Sequence, residues 1–164
     1  MNACQRHHAI EQFLFEVAEH CDRQHWDDYL AAFDPDAYFH VPQWDSEHVY
    51  TRDPRREMSL IYYPDRKGLE DRVYRLRTGK SAAATPMPRT LHLISNVRVV
   101  GEAAGVLEVA AKWVTHFHRL GSSGVFFGEA TYRLAETDGQ WRILGKHVLL
   151  LNDTINEVLD FYHL

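Results

Sequence analysis

The sequence is poor in several things that common chemistries require. Its 164 residues include only two cysteines, Cys4 and Cys21, which excludes a disulfide scaffold and any four-cysteine metal site. Neither cysteine has the partner histidine spacing of a two-Cys, two-His iron–sulfur cluster, since Cys4 precedes Gln5-Arg6-His7 and Cys21 precedes Asp22-Arg23. H-E-x-x-H, a Walker loop and G-x-G-x-x-G are all missing. Gly121-Ser122-Ser123-Gly124 lacks the G-x-S-x-G elbow of a serine nucleophile. Basic charge is also scarce: 18 Lys and Arg against 23 Asp and Glu leave a formal charge of −5, with no basic stripe for a phosphate backbone. Apolar runs such as Val148–Leu151 fall far short of the ~20 residues of a membrane helix. The opening Met-Asn-Ala-Cys-Gln-Arg-His-His leads into an amphipathic stretch and not an apolar signal core. The expectation is a cytoplasmic chain with free thiols and no nucleic-acid or membrane partner.

What is present is clear periodicity. Ile10, Phe13, Leu14, Val17, Ala18 and Cys21 recur at steps of three and four, one face of a helix. Trp26, Tyr29, Leu30 and Phe33 continue a second short helix, which Asp34-Pro35 ends. Ala37–Val41 reads as a strand closed by Pro42, and residues 43–58 as a long charged loop. A third helix has Asp65 as its cap and Leu69, Val73 and Leu76 as its stripe.

After residue 89 the period becomes two. Leu91, Leu93, Val97 and Val99 alternate with polar residues, as do Leu107–Phe117, Phe126–Leu134 and the last strand from Trp141. Gly101–Gly105, Gly121–Gly124 and Asp138-Gly139 mark the turns. Arg89 is expected to tie the preceding loop to the sheet edge, and residues 152–164 to form a short helix or a tail. Helices followed by four antiparallel strands predict a single α+β domain over residues 1–164, a curved sheet packed on N-terminal helices.

Eleven histidines invite a metal or acid–base reading. His25-Trp26-Asp27 is half of a two-His, one-carboxylate site without an obvious third ligand. His116 and His118 share a polar strand face with Glu108 and Lys112. By alternation His147 joins Trp141, Ile143, Leu149 and Leu151, which directs it inward as either a hydrogen-bonded core group or a pocket acid–base group. An independent small enzyme would use His147, His40 and Asp34 or Asp36.

Three stretches carry a family resemblance: Ser59-Leu-Ile-Tyr-Tyr-Pro-Asp-Arg-Lys-Gly-Leu-Glu-Asp-Arg-Val73, Pro88-Arg-Thr-Leu-His-Leu-Ile-Ser-Asn-Val-Arg-Val99 and Val158-Leu-Asp-Phe-Tyr-His-Leu164. In order and spacing they resemble the small (beta) subunits of bacterial aromatic-ring-hydroxylating dioxygenases, in the benzoate and anthranilate branch. The resemblance implies a cone-shaped fold similar to nuclear transport factor 2. It implies a large (alpha) subunit carrying a Rieske 2Fe-2S cluster and a mononuclear iron, joined as an alpha3beta3 hexamer around a threefold and fed by an NADH-dependent reductase. It also implies that this chain holds no cofactor, metal or catalytic residue. Assembly would then be its role. The candidate interface residues are Trp44, Tyr50, Leu149, Leu151, Phe161 and Tyr162, aromatic and apolar groups of the kind that anchor interfaces, each of which could equally be core.

Overall fold

The computed structural model describes residues 2–164. Helix α1 (Ala3–Asp22) starts with a capping box, Asn2 and Gln5 each receiving the other's backbone N–H. It buries Ile10, Leu14, Val17 and Cys21, the stripe the spacing predicts. Helix α2 (Trp26–Ala31) is followed by strand β1 (Phe33–Pro42), then β2 (Ser59–Tyr63) and helix α3 (Lys67–Arg77). A single 3-10 turn at Ala82–Ala84 leads to the long strands β3 (Arg89–Ala103), β4 (Val106–Arg119), β5 (Ser122–Thr137) and β6 (Gln140–Leu150). The six strands form one sheet in the order β2-β1-β6-β5-β4-β3. Only the β1–β6 pair is parallel; the others are antiparallel. The α+β architecture, with helices on one face of a curved open sheet, is the one predicted. No helix among the described residues is long and apolar enough to cross a membrane.

Several local expectations need correction. Strand β1 begins at Phe33, before Pro35, because its ladder skips from Phe33 to Tyr38 and leaves the proline no donor to supply. Strand β2 has no alternation that announces it in the sequence. It pairs antiparallel with β1 at the sheet edge, a place where short strands with little alternation survive. Asp65 does cap α3, accepting the Lys67 N–H at 2.9 Å, but the cap residue by backbone position is Arg66. Arg119, not Arg89, ties the 78–88 loop down, donating to the carbonyls of Ala82, Thr85 and Pro86 at 2.6–3.0 Å.

Two strands change face midway. In β3 the ladder runs through Ser95↔Lys112 and resumes at Arg98↔Ala110, with Asn96 in left-handed backbone at φ 52°. Before this bulge His92 and Ile94 lie on the inner face and Leu91 and Leu93 on the outer; after it Val97 is buried. In β6 a register shift separates Leu134↔Ile143 from Arg133↔Gly145. Lys146, Val148 and Leu150 therefore share the inner face with Tyr132 and Ala130, while His147 and Leu149 turn outward.

Candidate functional site

The concave inner face is where a fold of this shape has room for a ligand. Here the chain's own last residues fill it. Phe161, Tyr162, His163 and Leu164 are all buried. Phe161 packs edge-on against Trp26 and lies against Tyr29, at ring distances of 5.5 and 5.6 Å. His163 stands against Phe117 and Phe126 at 5.0 and 5.4 Å. The 3-10 turn Phe161–His163 is capped by Asp160, whose carboxylate accepts the Phe161 N–H at 2.8 Å and pairs with the Arg72 guanidinium. His163 Nδ1 accepts the Asp160 N–H at 3.1 Å. Burial, with the nearby His92 charge, pushes the His163 imidazole down to about 4, so it is neutral at pH 7.

Beneath the tail lie the polar groups of the interior. Lys146 Nζ donates to the Leu164 backbone oxygen at 3.0 Å and sits 5.4 and 5.6 Å from the Phe39 and Tyr132 ring centres. Burial lowers its ammonium to about 8. Cys21, wholly buried, has its thiol pushed up by desolvation and is inert as a nucleophile at neutral pH. Asp22, the last residue of α1, accepts from Thr90 Oγ1 at 2.8 Å, from His92 N at 2.9 Å and from His92 Nδ1 at 2.5 Å. Burial opposes ionisation of Asp22, but the bonds and charge from His92 and Thr90 outweigh it and hold the carboxyl below the usual range. His92 Nε2 is buried without a partner among the described residues.

An aspartate orienting a histidine whose far nitrogen is free has the form of a general base. The space bordered by His92, Lys146, Cys21 and Leu164 amounts to about 10 Å³, room for one water at most. The pair therefore locks α1 to β3 with no room for a substrate on its Lys146 side; the cleft of about 510 Å³ that Asp22 and His92 also border lies between α1 and β3, lined by Phe15, Ala18, Leu91 and Leu93. Sequence reasoning missed this pair because it depends on the Asn96 bulge, which carries no Gly or Pro to announce it.

The predicted acid–base residues do not converge on the interior. His40 and His147 meet on the outer face, 5.2 Å between ring centres, because the β6 bulge reverses the alternation that directed His147 inward. His40 Nε2 bonds Ser59 Oγ at 3.1 Å, and burial lowers both imidazoles. Asp34 and Asp36 form a local turn, the Asp36 N–H donating to the Asp34 carboxylate at 3.0 Å, with Asp34 half-buried and Asp36 exposed. His116 and His118 lie on the outer face of β4, and His118 Nδ1 bonds Ser123 Oγ at 2.7 Å.

The six interface candidates separate. Phe161 and Tyr162 spend their surface inside this chain, at 0% and 1% exposure, and Leu149 is 8% exposed. Leu151 is 41% exposed. Trp44 and Tyr50 are half-buried and pair edge-to-face at 5.5 Å, with Trp44 Nε1 donating to the Leu150 carbonyl at 2.7 Å. Together they staple the charged loop across the outer end of β6. The outer face also displays exposed apolar residues. Leu91 and Leu93 of β3 join Val125 and Phe127 of β5 across the His116 and Val114 rungs, and all four are exposed. Asn152 extends the strip to Leu151 by bonding both Phe127 N and Val125 O at 3.0 Å.

The curved open sheet with its helices on one side defines the cone-shaped α+β class of nuclear transport factor 2. A protein described as a scytalone dehydratase from Novosphingobium aromaticivorans shares the fold at a TM-score of 0.66 and 16% identity, over 88% of this chain and 83% of that one. Within that class, residues 16–157 match the ring hydroxylating beta subunit family, and the chain belongs to it. It is 50% identical to the anthranilate 1,2-dioxygenase small subunit of Acinetobacter baylyi, over 96% of each chain. The crystal structure of the benzoate 1,2-dioxygenase beta subunit from Burkholderia mallei superposes at a TM-score of 0.79 with 35% identity, covering 94% of this chain and 95% of that one.

Proposed function

We propose that this chain assembles with a large oxygenase subunit into an alpha3beta3 hexamer that cis-dihydroxylates an aromatic acid of the benzoate or anthranilate type. The large subunit would carry the Rieske cluster and the mononuclear iron. A reductase would deliver two electrons from NADH, so that one O2 adds both atoms to the ring as NADH and a proton are consumed, a supply that places the assembly in the cytoplasm. This chain's part is to hold large subunits in register.

One observation carries the reading. An apolar strip of Leu91, Leu93, Val125, Phe127 and Leu151 lies exposed on the outer sheet face, while the inner face of the same sheet is filled by residues 160–164. A contiguous apolar surface of this kind marks a protein contact, and obligate contacts commonly bury more than ~2,000 Å². The relatives named for anthranilate and benzoate dioxygenase support the substrate class.

Co-expression with a large subunit of an anthranilate or benzoate dioxygenase, followed by sedimentation, tests the reading. A hexamer holding three of each chain is expected. A double variant, Leu93→Lys with Phe127→Lys, should fold yet fail to form it. Full assembly by that variant, or turnover of substrate by this chain alone that His147→Ala abolishes, would refute the proposal.

A further inference from the structure

The corner between α1 and α2 gathers two imidazoles and a carboxylate. Helix α1 ends by a left-handed residue, Gln24 at φ 57°. Its backbone turns back so that Gln24 N donates to Cys21 O at 3.0 Å and His25 N donates to His20 O at 2.8 Å. This closure folds His25 over the last turn of α1, leaving the His20 and His25 ring centres 6.1 Å apart and 43° inclined. Asp28 follows His25 by three residues, one helical turn, and so points to the same side. One donor atom from each of His20, His25 and Asp28 lies within 4.8 Å of the other two.

Two further facts single this cluster out. His20 Nδ1 is buried and has no hydrogen-bond partner among the described residues, whereas His40, His92, His118 and His163 each have a bonded ring nitrogen. A buried polar atom left unpaired is costly unless a ligand satisfies it. Asp27, the carboxylate that the linear tripeptide His25-Trp26-Asp27 offers, is already paired with Arg77 at 2.8 Å. Among the described residues the Asp28 carboxylate has no such ion pair.

We infer that, contrary to the metal-free chain the family resemblance implies, His20, His25 and Asp28 bind one divalent transition-metal cation, Zn2+ by the chemistry of the donors. Two neutral imidazole nitrogens and one carboxylate oxygen form a borderline set, suited to zinc and unsuited to Mg2+ or Ca2+, which take oxygen cages. Tetrahedral zinc brings its donor atoms to about 3.3 Å of each other. His25 and Asp28 are exposed, and rotation of these two side chains closes the site without moving the helices. The fourth position opens onto the cleft that His20 and Asp28 line with Glu16, one turn earlier on α1. Water, Glu16 or a carboxylate from an adjoining subunit can fill it. Bound there, the cation pins α1 to α2.

The test uses the full chain without an affinity tag, stripped with a chelator and titrated calorimetrically with ZnCl2. One equivalent should bind, and the melting temperature should rise by about 5–10 °C at a hundredfold excess over Kd. Asp28→Asn and His25→Ala alter exposed side chains, so each should melt as the metal-free wild type does and bind zinc at least tenfold more weakly. The His7→Ala, His8→Ala double variant controls for the other adjacent histidines and should bind as wild type. Uptake well below one equivalent, uptake undiminished in both corner variants, or uptake lost in the His7/His8 variant would each overturn the assignment.

Discussion

Replacing Asp22 by alanine tests the interior most directly. The carboxylate accepts three bonds from β3, at 2.8 Å from Thr90 Oγ1, 2.9 Å from His92 N and 2.5 Å from His92 Nδ1. These bonds are the polar link between the end of α1 and the third-strand edge. Hydrogen bonds to a charged group contribute about 1.5–3 kcal/mol when buried. Coupling within one network makes the sum less than additive, so Asp22→Ala should cost about 3–4 kcal/mol. For a domain of this size each kcal/mol moves the melting temperature by about 2–4 °C, which gives a fall of about 6–16 °C. Urea unfolding followed by circular dichroism on the full chain measures it.

The pH dependence supplies a sign. Because the folded-state carboxyl titrates below its ordinary value of 3.8, its contribution is complete above that value and disappears as pH falls through the lower folded-state pKa. The gap between wild type and variant should therefore shrink below pH 4. A loss under 1 kcal/mol, or a gap that widens in acid, would refute the account of Asp22 as the ionised link between α1 and β3.

Three other perturbations have definite outcomes. Lys146 titrates at about 8 in the fold against 10.5 when free, so stability should rise as pH increases from 8 towards 10.5, by about 3 kcal/mol in total; Lys146→Met should abolish that rise in a pH series of urea melts, and a rise that persists would assign it to other groups. His163 titrates at about 4 against 6.5, so stability should fall as pH drops from 6.5 towards 4; in His163→Phe that acid sensitivity should shrink, at the cost of the Asp160 N–H partner, and an unchanged profile would exclude His163 as its source. Trp44→Ala removes both the bond to Leu150 O and the edge contact with Tyr50, and should speed tryptic cleavage at Arg52, Arg55 or Arg56 at least several-fold while shifting the melting temperature by only a few degrees. Equal cleavage rates would mean that the loop is held elsewhere.

Much of this architecture is legible in the linear chain, and the failures have identifiable causes. The α1 stripe from Ile10 to Cys21 is readable because a helix on a core repeats at steps of three and four, and α1 buries Ile10, Leu14, Val17 and Cys21. The β4 alternation holds unbroken from Leu107 to Phe117, where Leu107, Val109, Ala111, Trp113, Thr115 and Phe117 are all buried. Parity arguments fail at one inserted residue, since a slip of one exchanges the faces. Asn96 in β3 and the register shift in β6 each introduce such a slip. Alternation puts Leu91 and Leu93 on one face with Val97, yet they are exposed where Val97 is buried, and His147, which alternation directs inward, lies outside. The Asp22–His92 pair spans 70 positions of sequence, a separation at which spacing carries no information.

The two slips also connect fold to role. Without the β3 slip, Leu91 and Leu93 would face α1 and His92 would face solvent; with it, the interior gains the Asp22–His92 lock and the outer face gains two exposed leucines. Without the β6 slip, His147 and Leu149 would join the core, and Lys146 could not reach the Leu164 oxygen. The β3 slip thus directs His92 to a filled interior and two leucines to an accessible exterior, while the β6 slip brings Lys146 inside and turns His147 out. A pocket enzyme on this sheet would be better served by the opposite distribution, with an apolar cavity inside and polar residues outside. The proposed assembly needs apolar surface outside and an interior rigid enough to present it, and the β3 bulge supplies both through Leu91, Leu93 and the Asp22–His92 lock.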